Sequence, residues 1–157
     1  MSGTRVFVSF DIEHDRDLFE RLQAQSLNPR SGFEISGRSE LAARQDPLGE
    51  EMRRQIREAD EVIVICGEHT DASIGVQAEL CIAREERTPH FLLWGRREIM
   101  CTKPAGAKPG EGMYSWTAVV LHEQLVMTLR NARAEIDAEA AAEALGRSRA
   151  RPGGRSG

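Results

Sequence analysis

The chain has 157 residues, 21 basic and 25 acidic side chains and 40% apolar residues, a composition that fits one soluble domain of ordinary size. No stretch reaches the roughly 18 to 20 consecutive apolar residues of a membrane-spanning helix, and the first residues lack the basic-then-apolar order of a secretory leader, so a cytoplasmic protein without a membrane partner is expected. The last twelve residues hold four arginines and no acid, leaving 17 basic against 25 acidic side chains in the other 145, a balance that argues against nucleic acid as a partner.

In chain order, the first element is a short apolar run, Val6-Phe7-Val8, which reads as a strand. A helix with Leu18, Phe19 and Leu22 on one face follows an acidic opening at Asp15 and Asp17. Phe33-Glu34-Ile35-Ser36 alternates apolar with polar, as an edge strand does. The second helix places Leu48, Met52, Ile56 and Ala59 on one face, with Pro47 near its start and Glu50 and Glu51 in its first turn. Val62-Ile63-Val64-Ile65-Cys66 is a strand apolar throughout, so both of its faces are expected to be covered. After Asp71 and Ser73, candidate caps, a third helix carries Val76, Leu80 and Ala83, and Phe91-Leu92-Leu93-Trp94 is the next interior strand. Residues 96–115, with two prolines, three glycines and two lysines, read as a long surface loop ending in a weak fifth strand near Met113 and Tyr114. From Thr117 a last helix runs with Val119, Leu125, Val126 and Leu129 toward the core and continues through an alanine-rich stretch to Leu145.

Strand and helix therefore alternate, which predicts an α/β fold with helices on both faces of a parallel sheet. The expected organisation is a domain over residues 1–130, a helical extension over 131–145 and a disordered basic tail over 146–157. The three cysteines, 15 and 20 residues apart, match no zinc spacing and are read as reduced, with Cys66 and Cys81 as small buried hydrophobes; the four histidines also lack ligand spacing, so no metal is expected.

Ligands of an open parallel sheet sit beyond the carboxyl ends of the strands. Here those ends supply Ser9, Phe10 and Asp11, then Ser36 to Ser39 with Arg38, then Glu68, His69 and Thr70, and lastly Gly95 and Arg96, a set suited to a nucleotide. No glycine-rich phosphate loop and no nucleophile elbow is present, which disfavours dinucleotide hydride transfer, Walker-type phosphoryl transfer and serine hydrolysis and leaves carboxylate chemistry. Glu79, within two turns of a helix starting near Ser73, lies close to that edge; by spacing alone, a solvated helix glutamate is the simpler reading.

Resemblance adds weight. The opening Arg5-Val-Phe-Val-Ser-Phe10 resembles the first conserved box of TIR domains, and the stretch from Arg54 to Ile65 is similar to that family's second helix leading into its third strand. Gly67-Glu-His-Thr70 followed by Gly75-Val-Gln-Ala-Glu79 resembles a bacterial TIR-like branch that includes the signalling TIR proteins of the Thoeris anti-phage system. The likeness extends over about residues 4 to 130. It implies a flavodoxin-like sheet in the order 2-1-3-4-5 and cleavage of the nicotinamide–ribose bond of NAD, a substrate rather than a resident cofactor, with Glu79 at the position of the catalytic glutamate. It implies a product that is ADP-ribose or a cyclic isomer, read by a separate effector protein, and a possible homo-oligomer. Ser9, Phe10, Asp11, Arg38, His69 and Ser73 are then the candidate substrate-binding residues: Phe10 to stack on a ring, Asp11 and Ser9 on the ribose side, and Arg38 at the pyrophosphate.

The loop after the second strand, Ser36-Gly-Arg-Ser-Glu-Leu-Ala-Ala-Arg-Gln-Asp46, lacks the arginine–aspartate and proline–glycine motif of eukaryotic TIR domains, so their assembly mode is not carried over. No further domain is evident in the chain, which fits a maker of a diffusible signal. Two other classes stand beside the NAD-consuming enzyme: a non-catalytic TIR-like adaptor, in which Glu79 is an ordinary surface acid, and a nucleoside N-glycosidase or deoxyribosyltransferase on a similar fold. Replacing Glu79 by Gln is expected to stop nicotinamide release with little change in melting temperature.

Overall fold

The computed structural model of the protein describes residues 3–40 and 49–150, the side chains as far as residue 147. A five-stranded parallel sheet in the order β2-β1-β3-β4-β5 is formed by β1 (Thr4–Ser9), β2 (Phe33–Arg38), β3 (Glu61–Cys66), β4 (His90–Trp94) and β5 (Met113–Ser115). The alternating segment is indeed an edge strand, and the three apolar runs, in β1, β3 and β4, take interior positions, because only there are both faces of a strand covered.

Among the described residues four α-helices and a short 3-10 turn (Thr70–Ala72) complete the architecture: α1 (Arg16–Ser26), α2 (Glu50–Glu58), α3 (Ile74–Glu85) and α4 (Ala118–Ala150). Val6, Val8 and Phe10 pack with Leu18, Phe19 and Leu22 of α1 and with Leu121 and Leu125 of α4. Phe7, on the opposite side of the strand, packs with Ile56 of α2 and with Val76 and Ala83 of α3. The two-residue period of a strand thus sorts β1 between two cores, and residue 9 falls on the side of α3. Pro47 and Leu48, expected near the start of the second helix, lie outside the described residues.

Three expectations change. Val119 and Val126 are exposed, at 67% and 42%, while Leu125 is buried as expected and Leu121, not picked from the sequence, is buried beside it. Positions 119 and 126, seven apart, share one face of the helix, and the face bearing 121 and 125 is the one that meets the sheet. Cys81 is exposed and Cys66 and Cys101 are buried, all three as free thiols. Burial pushes the Cys66 thiol far above its ordinary range. The last helix does not stop at Leu145 but runs through Gly146 to Ala150, a glycine in an exposed helix costing only about 1 kcal/mol.

Between Val6 and Phe7 the β1–β2 register slips by one residue. Gly37 then sits close to Gln55 and Phe7, where an added Cβ would come within 2.6 Å of Gln55 Oε1 and 2.8 Å of the Phe7 ring. Such a bulge bends its strand and re-aims the side chains C-terminal to it. Ser39 continues the ladder there through its N–H to the Val8 carbonyl at 2.9 Å, which seats its side chain over the carboxyl end of β1. The loop between β4 and β5 is pinned at Thr102, whose N–H reaches the Gly67 carbonyl at 2.8 Å and whose hydroxyl accepts from the Asp71 N–H at 2.9 Å.

Candidate active site

The carboxyl ends of β1, β2 and β3 and the start of α3 enclose a cleft of about 820 Å³, in the size range of cofactor sites. Glu79 belongs to its lining, though it is only 2% exposed. The reason is its place in the helical stripe: Val76, Glu79, Leu80 and Ala83 form the buried face of α3, and Glu79 occupies its i+3 position. Of the two readings its spacing allows, a solvated glutamate and a side chain bordering the core, the fold selects the second.

Two hydroxyls hold the Glu79 carboxyl. Ser9 donates to Oε1 at 2.6 Å and Ser39 donates to the same oxygen at 2.5 Å. Ser39 also accepts from the N–H of Phe10 at 3.0 Å, so β1, β2 and α3 meet at one serine. Among the described residues Oε2 accepts no hydrogen bond. Burial raises the pKa of Glu79 from an ordinary 4.5 to about 7, with the two serine hydroxyls pulling the other way. Near neutral pH the group is thus poised between acid and carboxylate, inside a largely dry wall.

All seven residues picked from the sequence fall at this edge, with different tasks. Ser9 supports Glu79 from beneath and is fully buried. Asp11, 7% exposed, accepts from the N–H groups of Glu13 and His14 at 2.9 and 3.3 Å and contacts His14 Nδ1 at 3.1 Å, so its carboxyl organises the turn at the rim. Phe10 lines the cleft, but its ring is 3% exposed and stacked on Phe19 at 4.9 Å, within the core rather than as an open face. Arg38 stands exposed at the rim with its guanidinium 5.0 Å from the centre of the Phe19 ring. His69 is a rim residue whose ring lies 4.1 Å from that of His14. Ser73 is the N-cap of α3, its hydroxyl accepting from the Val76 N–H at 3.3 Å.

Sequence reasoning does not single out Ser39 or His14. Ser39 stands among the strand-end residues, but its reach toward Glu79 depends on the bulge at residue 37. His14 and His69 come together from loops 55 positions apart, a pairing no local pattern encodes. Among the described residues of the lining, the acids Asp11, Glu13, Glu40, Glu51 and Glu79 outnumber the one arginine, Arg38. None of residues 96–115 lines it.

Two more features bear on identity. No described helix is long and apolar enough to cross a membrane. A comparison with curated proteins finds no match. The family model described as the Thoeris protein ThsB, TIR-like domain, matches residues 7–97, from β1 to just past β4, a span that includes Ser9, Ser39 and Glu79. With more than half its length matched, and with the parallel 2-1-3-4-5 sheet of that class, the chain belongs to the family of TIR-like domains of the Thoeris protein ThsB.

Proposed function

We propose that the protein cleaves the nicotinamide–ribose bond of NAD in Thoeris anti-phage defence and passes the ADP-ribosyl group to a nucleophile within the same molecule, forming a cyclic ADP-ribose-type signal for a separate effector. The observation that carries this reading is Glu79: a carboxyl walled into the carboxyl edge of the sheet, held by two serines on one oxygen, with the other left without a partner among the described residues.

The chemistry asks for one acid. Nicotinamide leaves from a cationic nitrogen as a neutral molecule, so the electron pair of the breaking C–N bond returns to the ring and no proton donor is required, whereas an ordinary glycosidase divides its work between two carboxylates. The ionised Glu79 offsets the positive charge that grows on the anomeric carbon. Water or a nucleophile from the adenosine half then takes that carbon; a cleft that limits water favours the second. Ser9 and Ser39 fix the carboxyl and favour its charged form. The surplus of acids along the walls suits a pyridinium ring, and Arg38 is the cation at hand for the pyrophosphate.

The adaptor reading needs Glu79 to be a surface acid, and its burial speaks against that. A neutral nucleoside has no pyridinium for the acidic wall to favour and no pyrophosphate for Arg38 to meet. Purified protein incubated with NAD, alone and in extracts of phage-infected cells, is expected to release nicotinamide together with a product of the mass of cyclic ADP-ribose. NAD that stays intact in both while nucleosides are cleaved would instead establish the N-glycosidase reading.

A further inference from the structure

A second cavity, of about 360 Å³, opens at the carboxyl ends of β4 and β5, lined by Arg21, Trp94, Gly95, Arg97, Ser115, Trp116 and Thr117. Its electrostatics are the reverse of those of the Glu79 cleft: among the described residues two arginines and no carboxylate line it. Among the described residues neither Arg21 nor Arg97 has an ion-pair partner. Arg53, Arg54, Arg57, Arg84, Arg87 and Arg96 are all paired with acids. Arg5, Arg16, Arg30, Arg38, Arg130 and Arg133 are likewise in no ion pair among the described residues, so what sets Arg21 and Arg97 apart is that both line one hollow with no described carboxylate beside them.

Arg21 is also positioned. Its guanidinium lies 4.3 Å from the centre of the Trp116 ring, and Trp116 is 6% exposed with its N–H bonded to Gln25 Oε1 at 2.9 Å. The cation therefore rests on an immobile platform. With that ring buried beneath Arg21, it presents no open face for a nucleobase. Thr117 caps α4, its hydroxyl accepting from the Val120 N–H at 3.1 Å, and the first turn of that helix adds its partial positive charge. Two guanidiniums and two hydroxyls in so small a volume match a compact tetrahedral anion.

We propose that this cavity is a second ligand site, taking a phosphate group between Arg21 and Arg97 beside the hydroxyls of Ser115 and Thr117. The site does not depend on the proposed NAD chemistry, because none of its residues lines the Glu79 cleft.

The protein carries its own reporter, since its two tryptophans both line this cavity. Inorganic phosphate and AMP, titrated into the full-length protein at constant ionic strength, are expected to change tryptophan fluorescence saturably, with adenosine inert. Equal responses would identify phosphate itself as the ligand, and a stronger one to AMP would identify a phosphate monoester; either supports the site. Arg97→Gln, at an exposed position, is expected to weaken binding at least tenfold at an unchanged melting temperature, while Glu79→Gln binds as the parent does. The proposal is overturned if neither phosphate compound gives a saturable change, if adenosine matches them, or if Arg97→Gln binds normally.

Discussion

Glu79 concentrates the conflict between stability and use in one side chain. A carboxyl whose pKa is raised from 4.5 to about 7 by folding favours the native state when protonated and burdens it when ionised. Its contribution to stability is full below pH 4.5 and is lost as pH rises through about 7. The expectation of an unchanged melting temperature for Glu79→Gln therefore gives way to a pH-dependent one. The variant should lose nicotinamide release and, at pH 8, be more stable by up to about 3 kcal/mol, an advantage that fades toward pH 4.5; thermal melts across that range measure it. Activity that uses the carboxylate should rise through about pH 7 in the parent protein. In Ser39→Ala one of the hydrogen bonds favouring the charged form is gone, so the midpoint of the pH–rate curve should move upward. The same change strands the buried Phe10 N–H, at a cost of about 1–3 kcal/mol readable by urea denaturation.

Between elements, the loops after β1 and β4 are strapped together by Arg96. Its guanidinium bonds the His14 carbonyl at 3.0 Å, Asp15 Oδ1 at 3.1 Å and Asp17 at 2.8 Å. Asp15 is 1% exposed, and burial holds its pKa above the usual value even against Arg96. Asp15 follows His14 in the turn that carries Asp11, so the strap steadies the rim of the cleft from behind. Arg96→Ala should leave Asp15 buried without its cation and destabilise the protein by about 3 kcal/mol at pH 7. Protonation of Asp15 relieves the deficit, so the loss should shrink at pH 4, a comparison that chemical denaturation at the two pH values provides. The α3 pattern shows how far sequence could go here: its period placed Val76, Leu80 and Ala83 in the core, and Glu79 shares their face, yet periodicity could not tell a buried acid from a solvated one at the margin of the stripe.

On the scale of the whole molecule, the packing of α4 against the sheet ends well before the helix does. Leu121 and Leu125 dock α4 on the sheet, whereas residues 133–147 are all exposed. Its outer half meets the domain through the ion pair of Arg87 with Glu139, both exposed, and such pairs contribute under about 1 kcal/mol. Removing residues 140–157 should thus leave the melting temperature within about 2 °C of the full chain, as calorimetry can verify; a larger drop would mean that the far end carries packing of its own.

From the order of residues alone came the α/β class, the edge and central strands, the buried faces of α1 and α3, and the strand ends at which a ligand would sit. All of these arise from local periodicity, which the chain displays whatever its partners. Likeness to the TIR family then pointed to the strand order and to Glu79. Tertiary structure decided that Glu79 is buried, that Ser39 reaches it past a bulge at Gly37, that α4 turns Leu121 rather than Val119 inward, and that Arg21 and Arg97 share a cavity. Each joins segments tens of residues apart. The energy of a buried carboxyl or an unpaired guanidinium depends on what surrounds it, and that is set only when the sheet and its two layers of helices close.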